Sequence, residues 1–334
     1  MRVLVAGAGG VVGVRLVPQL VARGHHVTAT TTHSDKVETL RALGAEAIVM
    51  NGLDATSVRE AVLSAQPDAV IHQMTALSGK PDIKHLDRWL AVTNELRTTG
   101  TRHLLAAAEA AGVERFIAQS FTGWTNSRTG GALKTEDDPL EDDPAKDQVK
   151  SLAAIRFLEG AVLEAPLKGV TLRYGSLYGP AASDVLMAAV RARQWPIVGD
   201  GAGVWSWLHV DDAAAATVAA LERASCGLYN IVDDDPAAVA DWLPYLAKVA
   251  DAKPPLRAPV WLARVLIGDV GVRWMTEARG ASNEKAKHEL AWQPAYRSWR
   301  EGFTATADAP QPPTRRITSG SSFAVDPLAE AGGR

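Results

Sequence analysis

The sequence predicts an α/β fold, a doubly wound parallel sheet with a smaller, irregular C-terminal lobe, and three observations carry that prediction. Short β-branched runs alternate with longer helical patterns from the first residues to about residue 180, the pattern of a parallel sheet covered on both faces. A glycine-rich turn follows the first apolar run and opens a helical pattern. After about residue 180 the alternation fails and prolines and tryptophans accumulate; nine of the ten tryptophans lie at or after Trp124, so the second lobe is built differently.

In chain order, strands are expected over Arg2 to Ala6, His26 to Thr30, Glu46 to Met50, Ala69 to Gln73, Arg115 to Gln119 and Val170 to Tyr174, each a short run rich in β-branched and apolar residues. Helices are expected around 11 to 23, 35 to 43, 56 to 65, 86 to 111 and 148 to 165, where apolar residues recur at helical spacing. Gly44, Pro67, Gly112 and Gly169 stand at element ends, and Pro18 is expected to kink the first helix. The first domain is drawn over 1–180 with returning segments around 204–232, and the second lobe mainly over 181–304. Residues 305–334 lack apolar periodicity and read as a flexible tail.

At 334 residues the chain has ample material for a large domain with an appendage. A net charge of −3 gives no electrostatic case for nucleic acid or a membrane surface. The longest Ala/Val-rich run, Ala213 to Leu221, falls well short of the roughly 20 residues a membrane span needs. A single cysteine, Cys226, forms no internal disulfide, and Met1 and Arg2 lead into VLVAGAG without a signal-peptide pattern. A soluble protein in a reducing, cytoplasmic setting is expected. No metal-ligand set is identified, and the oligomeric state is not set by sequence.

In VLVAGAGGVVG, Gly7, Gly10 and Gly13 permit a tight turn and the close approach of a pyrophosphate. The helix N-terminus, with Val11 and Val12, holds the phosphates by free N–H groups and its dipole. This is a Rossmann-type nucleotide site in its expected strand-turn-helix context. The second strand ends in TATTTHSDK, with no acidic residue at its tip to bind the adenosine ribose hydroxyls as in NAD-specific proteins. Thr31, Thr32, His33 and Lys36 offer donors to a 2′-phosphate. The cofactor is therefore NADPH or NADH, with a lean to NADPH.

Further segments follow in fixed order: NGLD (Asn51 to Asp54), PDAVIHQMT (Pro67 to Thr75), the run Leu96 to Ser120, LRYGSLYGP (Leu172 to Pro180), WSWLHVDDAAAA (Trp205 to Ala216), GLYNIVDD (Gly227 to Asp234) and residues 282 to 303. With these in register the chain resembles the extended short-chain dehydrogenase/reductase family, the NAD-dependent epimerase/dehydratase group, over nearly its whole length. The resemblance implies that Asn51, Leu53 and Asp54 border the adenine and that Gln73, Met74 and Thr75 line the middle of the cofactor. It places Tyr174 against the nicotinamide end and Ser176 toward substrate, and gives His72 and His209 packing roles.

One departure is decisive for the chemistry. Members of the family carry a Tyr-x-x-x-Lys pair on the helix before the sixth strand; the tyrosine handles the proton, and the lysine lowers its pKa and holds the nicotinamide ribose. Anchored on the acidic Glu159, the register puts Ser151 at the tyrosine place and Ile155 at the lysine place, and no tyrosine precedes Tyr174. Ser120 and Thr122, around Phe121, stand where the family has its third catalytic residue and are the candidates for contact with a substrate carbonyl. A serine hydroxyl polarises and orients but is a poor general acid near neutral pH.

Three functions from different classes follow. A reductase survives without the tyrosine, because proximity supplies on the order of 7 to 11 kcal/mol in the best cases and general acid catalysis only about 100- to 10,000-fold. A ketone with a neighbouring phenol brings its own proton. A sugar-nucleotide epimerase or dehydratase is disfavoured twice, since it needs the tyrosine as a base and Trp205 stands where such enzymes offer an arginine to the substrate diphosphate; Arg173 and Arg191 keep it open. A tryptophan stacks on a planar ring instead. The third is a non-catalytic NADP-binding sensor, against which stands the retained lobe with Trp124, Trp195, Trp205 and Trp207 near the cleft. The expectation is an NAD(P)H-dependent ketoreductase acting on a bulky aromatic, polyketide-type ketone, resembling the angucyclinone ketoreductases of antibiotic biosynthesis of the simocyclinone type. Trp124, Ser176, Trp205 and Trp207 are its substrate-binding candidates.

Overall fold

A computed structural model describes residues 1–77 and 79–308. Seven strands form the central sheet: β1 Arg2–Ala6, β2 His26–Thr31, β3 Glu46–Val49, β4 Ala69–His72, β5 Arg115–Phe121, β6 Lys168–Tyr174 and β7 Gly227–Ile231. Their order is β7-β6-β5-β4-β1-β2-β3, with every neighbouring pair parallel. The six expected strands are present to within two residues at either end. The seventh comes from GLYNI, where Gly227 pairs with Val170 and Ile231 with Tyr174.

The helices are α1 Gly13–Ala22, α2 Val37–Ala42, α3 Ala55–Ala65, α4 Thr101–Ala110, α5 Val149–Glu164, α6 Asp184–Arg191, α7 Val210–Arg223, α8 Val239–Val249, α9 Val260–Thr276, α10 Glu284–Leu290 and α11 Trp299–Asp308. α1 and α7 bury Leu16, Val17, Leu20, Val218 and Leu221 on one face of the sheet. α3, α4 and α5 bury Val58, Val62, Leu104, Leu158 and Val162 on the other. Both faces are covered, which is why the strands read as continuous apolar runs. Fully burying each such side chain contributes roughly 1.5–3 kcal/mol.

The order of strand succession reverses between β1 and β4, so a crevice opens at their C-terminal ends, where open α/β sheets bind ligands. The helix expected over 86 to 111 is broken into Leu86–Trp89, Ala91–Glu95, a π-helical turn Leu96–Gly100 and α4. α1 runs through Pro18 without interruption.

The second lobe has its own core, in which Tyr178, Trp207, Trp242, Trp299 and Phe303 are each at most 1% exposed. The expected tail begins later than residue 305, because α11 extends to Asp308; the rest of that segment lies outside the described residues. α9 is bent at Gly268, whose φ of 73° takes the left-handed region. The bend separates a first half bearing exposed Trp261 from a second half that reaches the sheet crevice with Trp274.

Candidate active site

The glycine turn fits a dinucleotide phosphate by its shape. A Cβ on Gly7 would stand 2.8 Å from the Met74 backbone, and Gly7 has φ 87°. A Cβ on Gly13 would collide with the Ala8 carbonyl, so that position closes helix against strand. Gly10 is exposed, and a Cβ there would meet only the Gly7 carbonyl at 3.5 Å, which leaves its outer side open to a ligand. The N–H groups of Val11 and Val12 donate to no protein acceptor among the described residues, and the first turn of α1 holds no acidic residue. Unpaired N–H groups beside an unopposed helix dipole make an anion site.

At the tip of β2, Thr31 is buried and its hydroxyl accepts the His33 N–H at 3.1 Å, while Thr32, His33 and Lys36 are exposed. Lys36 Nζ donates to the Gly9 carbonyl at 3.3 Å, which brings its charge beside the phosphate turn. Beyond β3, Asp54 caps α3 by accepting from Thr56 and Ser57 N–H, and Asn51 Oδ1 accepts from Leu53 N–H at 3.1 Å. These polar groups shape the turn that flanks the crevice.

Beyond β4, Met74 is buried against Gly7 and Gly52, and Thr75 is exposed at the mouth. Gln73 is buried and its Nε2 donates to the Tyr174 hydroxyl at 3.0 Å. Tyr174 also bonds Thr217 of α7 and is 2% exposed. Burial pushes its phenol up to about 12. Tyr174 therefore stands at the expected strand end, but its side chain belongs to the core and its hydroxyl is no proton donor to a ligand.

β5 corrects the expectation for Ser120 and Thr122. Alternate strand residues point to opposite faces, so Ser120 follows Phe116 and Ala118 toward α5 and Phe121 turns toward the cleft. Ser120 Oγ donates to Glu159 at 2.7 Å, and Glu159 is gripped by Arg173 Nε at 2.8 Å and Nη2 at 2.7 Å. Thr122, 1% exposed, is paired with the Asn126 amide at 3.0 Å. Both hydroxyls are committed inside the fold.

α5 is equally closed. Ser151, fully buried, donates to Asp87 at 2.6 Å and accepts from Asn94 Nδ2 at 3.1 Å. Ile155 is buried in the interior beside it. No phenol or ammonium projects from this helix where an acid would be needed.

The cleft itself is aromatic. Phe121, Trp124, Ser176, Trp205, Ser206 and Trp274 line a narrow, half-open pocket. Trp124 stacks on Trp274 with ring centres 6.0 Å apart and 17° between planes. Trp205 is fixed by its Nε1 donating to the Trp274 carbonyl at 2.9 Å. Ser206 accepts the Ala281 N–H at 2.9 Å, whereas the Ser176 hydroxyl makes no protein hydrogen bond among the described residues. No titratable side chain lines this pocket. Of the expected substrate contacts, Trp124, Ser176 and Trp205 come together here. Trp207 does not: it is 1% exposed and packed against Tyr178, Trp242 and Phe303, a support for the lobe.

Residues 3–231 match the model of the NAD dependent epimerase/dehydratase family. The chain belongs to that family. It is 42% identical over 309 residues to a 3-diazoavenalumate denitrifying reductase of a Streptomyces species, a match spanning 91% of this chain and 99% of the relative. It is 30% identical over 237 residues to the 2-alkyl-3-oxoalkanoate reductase of Stenotrophomonas maltophilia, covering 68% of this chain and 67% of that one. Among solved structures, UDP-glucose 4-epimerase of Thermotoga maritima with UDP-glucose superposes with TM-score 0.71 at 23% identity, covering 92% of this chain and 97% of that chain. A human epimerase family protein with NADPH superposes with TM-score 0.70 at 20% identity, covering 92% and 100%.

This member of the epimerase/dehydratase family is thus an NAD(P)-dependent oxidoreductase. His72 and His209 serve the scaffold. His72, held near 4 by burial, bonds Thr101 at 3.2 Å, and His209 caps α7. Sequence reading missed Phe121, Ser206 and Trp274. Phe121 was passed over for the hydroxyls beside it, although strand alternation contains the signal. Trp274 arrives from α9, more than a hundred residues away, and no local pattern announces it. Among the described residues, no helix is long and apolar enough to cross a membrane.

Proposed function

We propose that the protein is a NADPH-preferring reductase that delivers hydride to a planar aromatic substrate whose reduction takes no proton from the protein, and that the acceptor is an aromatic diazo group lost as N2. The observation that carries this reading is the aromatic pocket without a titratable group. The 42% identity to a denitrifying reductase of a diazo compound, over nearly the whole of both chains, supports the acceptor class. Gly7, Gly10, Val11, Val12 and Gly13 would hold the pyrophosphate. Thr32, His33 and Lys36 would meet a 2′-phosphate, and Met74 and Thr75 would flank the middle of the cofactor.

Bound there, the reduced nicotinamide supplies a hydride; an aromatic diazonium that takes it up exchanges its C–N bond for C–H and releases N2, a balance with no proton from the protein. The chain's own work is positioning and exclusion of water. Trp124, Trp205 and Trp274 provide flat apolar walls for an aromatic ring. Ser176 offers the free hydroxyl that orients a polar substituent. Phe121 fills the place where a hydroxyl would compete for the acceptor. Precise placement is the largest contribution such a site makes.

A second acceptor is favoured by the relationship to an oxoalkanoate reductase: an aromatic ketone of polyketide type whose neighbouring phenol supplies the proton. One assay separates the two. Purified protein and NADPH are incubated with an aromatic diazo compound and with a peri-hydroxylated aromatic ketone, following cofactor oxidation, N2 release and product mass. Nitrogen release matched one to one by NADPH oxidation supports the first acceptor, and alcohol formation supports the second. Epimerisation of a sugar nucleotide with neither reduction would refute both.

A further inference from the structure

α5 carries Ser151, Ile155 and Glu159 at intervals of four, hence on one face, and Ser151 is bonded by Asn94 of the facing segment at 3.1 Å. Three residues further along that segment stands Arg97, inside the π-helical turn Leu96–Gly100. Such a turn widens a helix and recurs at functional sites. Arg97 is 9% exposed, and its Nη1 is buried without a partner among the described residues.

Glu159 does not neutralise it. Arg173 and Ser120 together take both Glu159 carboxylate oxygens. Arg97 and Glu159 are close enough to interact through space, yet burial still lowers the guanidinium to about 10, so it remains charged at neutral pH. The buried triad Arg97, Arg173 and Glu159 therefore keeps one net positive charge. A buried charge without a counter-group is costly, and no hydrogen-bond partner for Arg97 Nη1 is found among the described residues.

We propose that Arg97 supplies from the facing helix the positive charge that Ile155 lacks, its guanidinium donating to the nicotinamide-ribose hydroxyls of bound NAD(P)H. Cofactor orientation in the cleft is thereby separated from proton transfer. An arginine in this role holds the ribose while remaining protonated throughout the working pH range. The assignment concerns the cofactor alone and stands whichever acceptor the enzyme reduces.

The test compares Arg97→Met and Arg97→Lys in the full chain. Calorimetry measures binding of NADPH and of adenosine 2′,5′-bisphosphate, which lacks the nicotinamide ribose, with NADH and ADP as a parallel pair and thermal melting alongside. Arg97→Met is expected to weaken the dinucleotide about ten-fold or more, the scale of a charge-assisted hydrogen bond. It should leave the adenosine ligand within about two-fold, and Arg97→Lys should regain most of the loss. The melting temperature should not fall, because an unpaired buried charge is removed. Should Arg97→Met not fold, Arg97→Gln takes its place. Dinucleotide binding unchanged by the substitution, or equal weakening of both ligands, would overturn the assignment. Failure to reduce any acceptor would leave this binding difference intact and would count only against the proposed reaction.

Discussion

Glu159→Gln tests the buried network under β5 directly. Glu159 and Arg173 are 6% and 5% exposed, and three hydrogen bonds of 2.7 to 2.8 Å converge on the carboxylate from Arg173 and Ser120. Removing the charge leaves Arg173 and Arg97 facing one another without an anion. Breaking a buried pair by taking away one partner costs about 3–5 kcal/mol. In a domain of this size 1 kcal/mol moves the melting temperature by roughly 2–4 °C, so the midpoint should drop by about 6–20 °C. Arg173→Met should cost less, because Arg97 is close enough to take over the freed carboxylate. Thermal and urea unfolding of the two variants give the comparison. A Glu159→Gln midpoint within about 2 °C of the parent, or a larger loss in Arg173→Met, would refute this account of the charge balance.

Four further outcomes follow from the same geometry. Asp233 is 1% exposed with Oδ2 unpartnered, and burial raises its carboxyl from 3.8 to about 8. Because the folded value lies above the unfolded one, the full stability is present below pH of about 4 and is lost as pH rises toward about 8, up to about 4 kcal/mol by pH 7. Asp233→Asn should flatten that decline in unfolding measured at several pH values, and an unchanged slope would contradict it. Ser120→Ala and Thr122→Ala should each leave turnover within about three-fold while lowering stability by roughly 1–2 kcal/mol, and a hundred-fold loss of kcat in either would restore it to the reacting centre. Trp274→Ala should raise KM for aromatic substrates about ten-fold or more while leaving NADPH affinity unchanged, read by steady-state kinetics and cofactor titration. Lys36→Ala should weaken NADPH about ten-fold and NADH little, so equal effects on the two would remove its 2′-phosphate role.

Local chemistry made much of this protein legible from its sequence. The strand-turn-helix context of Gly7, Gly10 and Gly13 made the glycine turn legible, because at Gly7 and Gly13 a Cβ would collide with neighbouring backbone. Alternating apolar runs determined the parallel sheet, and the absence of any tyrosine before Tyr174 determined that α5 carries no phenol. GLYNI is not legible as a strand from its own residues, because its pairing partner, β6, lies more than fifty residues earlier. Which way each hydroxyl faces was decided only in three dimensions. Ser120 and Thr122 adjoin the cleft in sequence, but strand alternation and the Glu159–Arg173 pair turn Ser120 inward, and Asn126 holds Thr122. The tryptophans show the same division: composition placed them in the second lobe, whereas packing sent Trp207 to its core and brought Trp274 from α9 to the cleft. Sequence determines what short-range geometry and covalent chemistry can enforce. Burial, side-chain direction and the meeting of distant residues depend on the packed whole, where the cost of leaving a charge or an apolar ring misplaced is finally set.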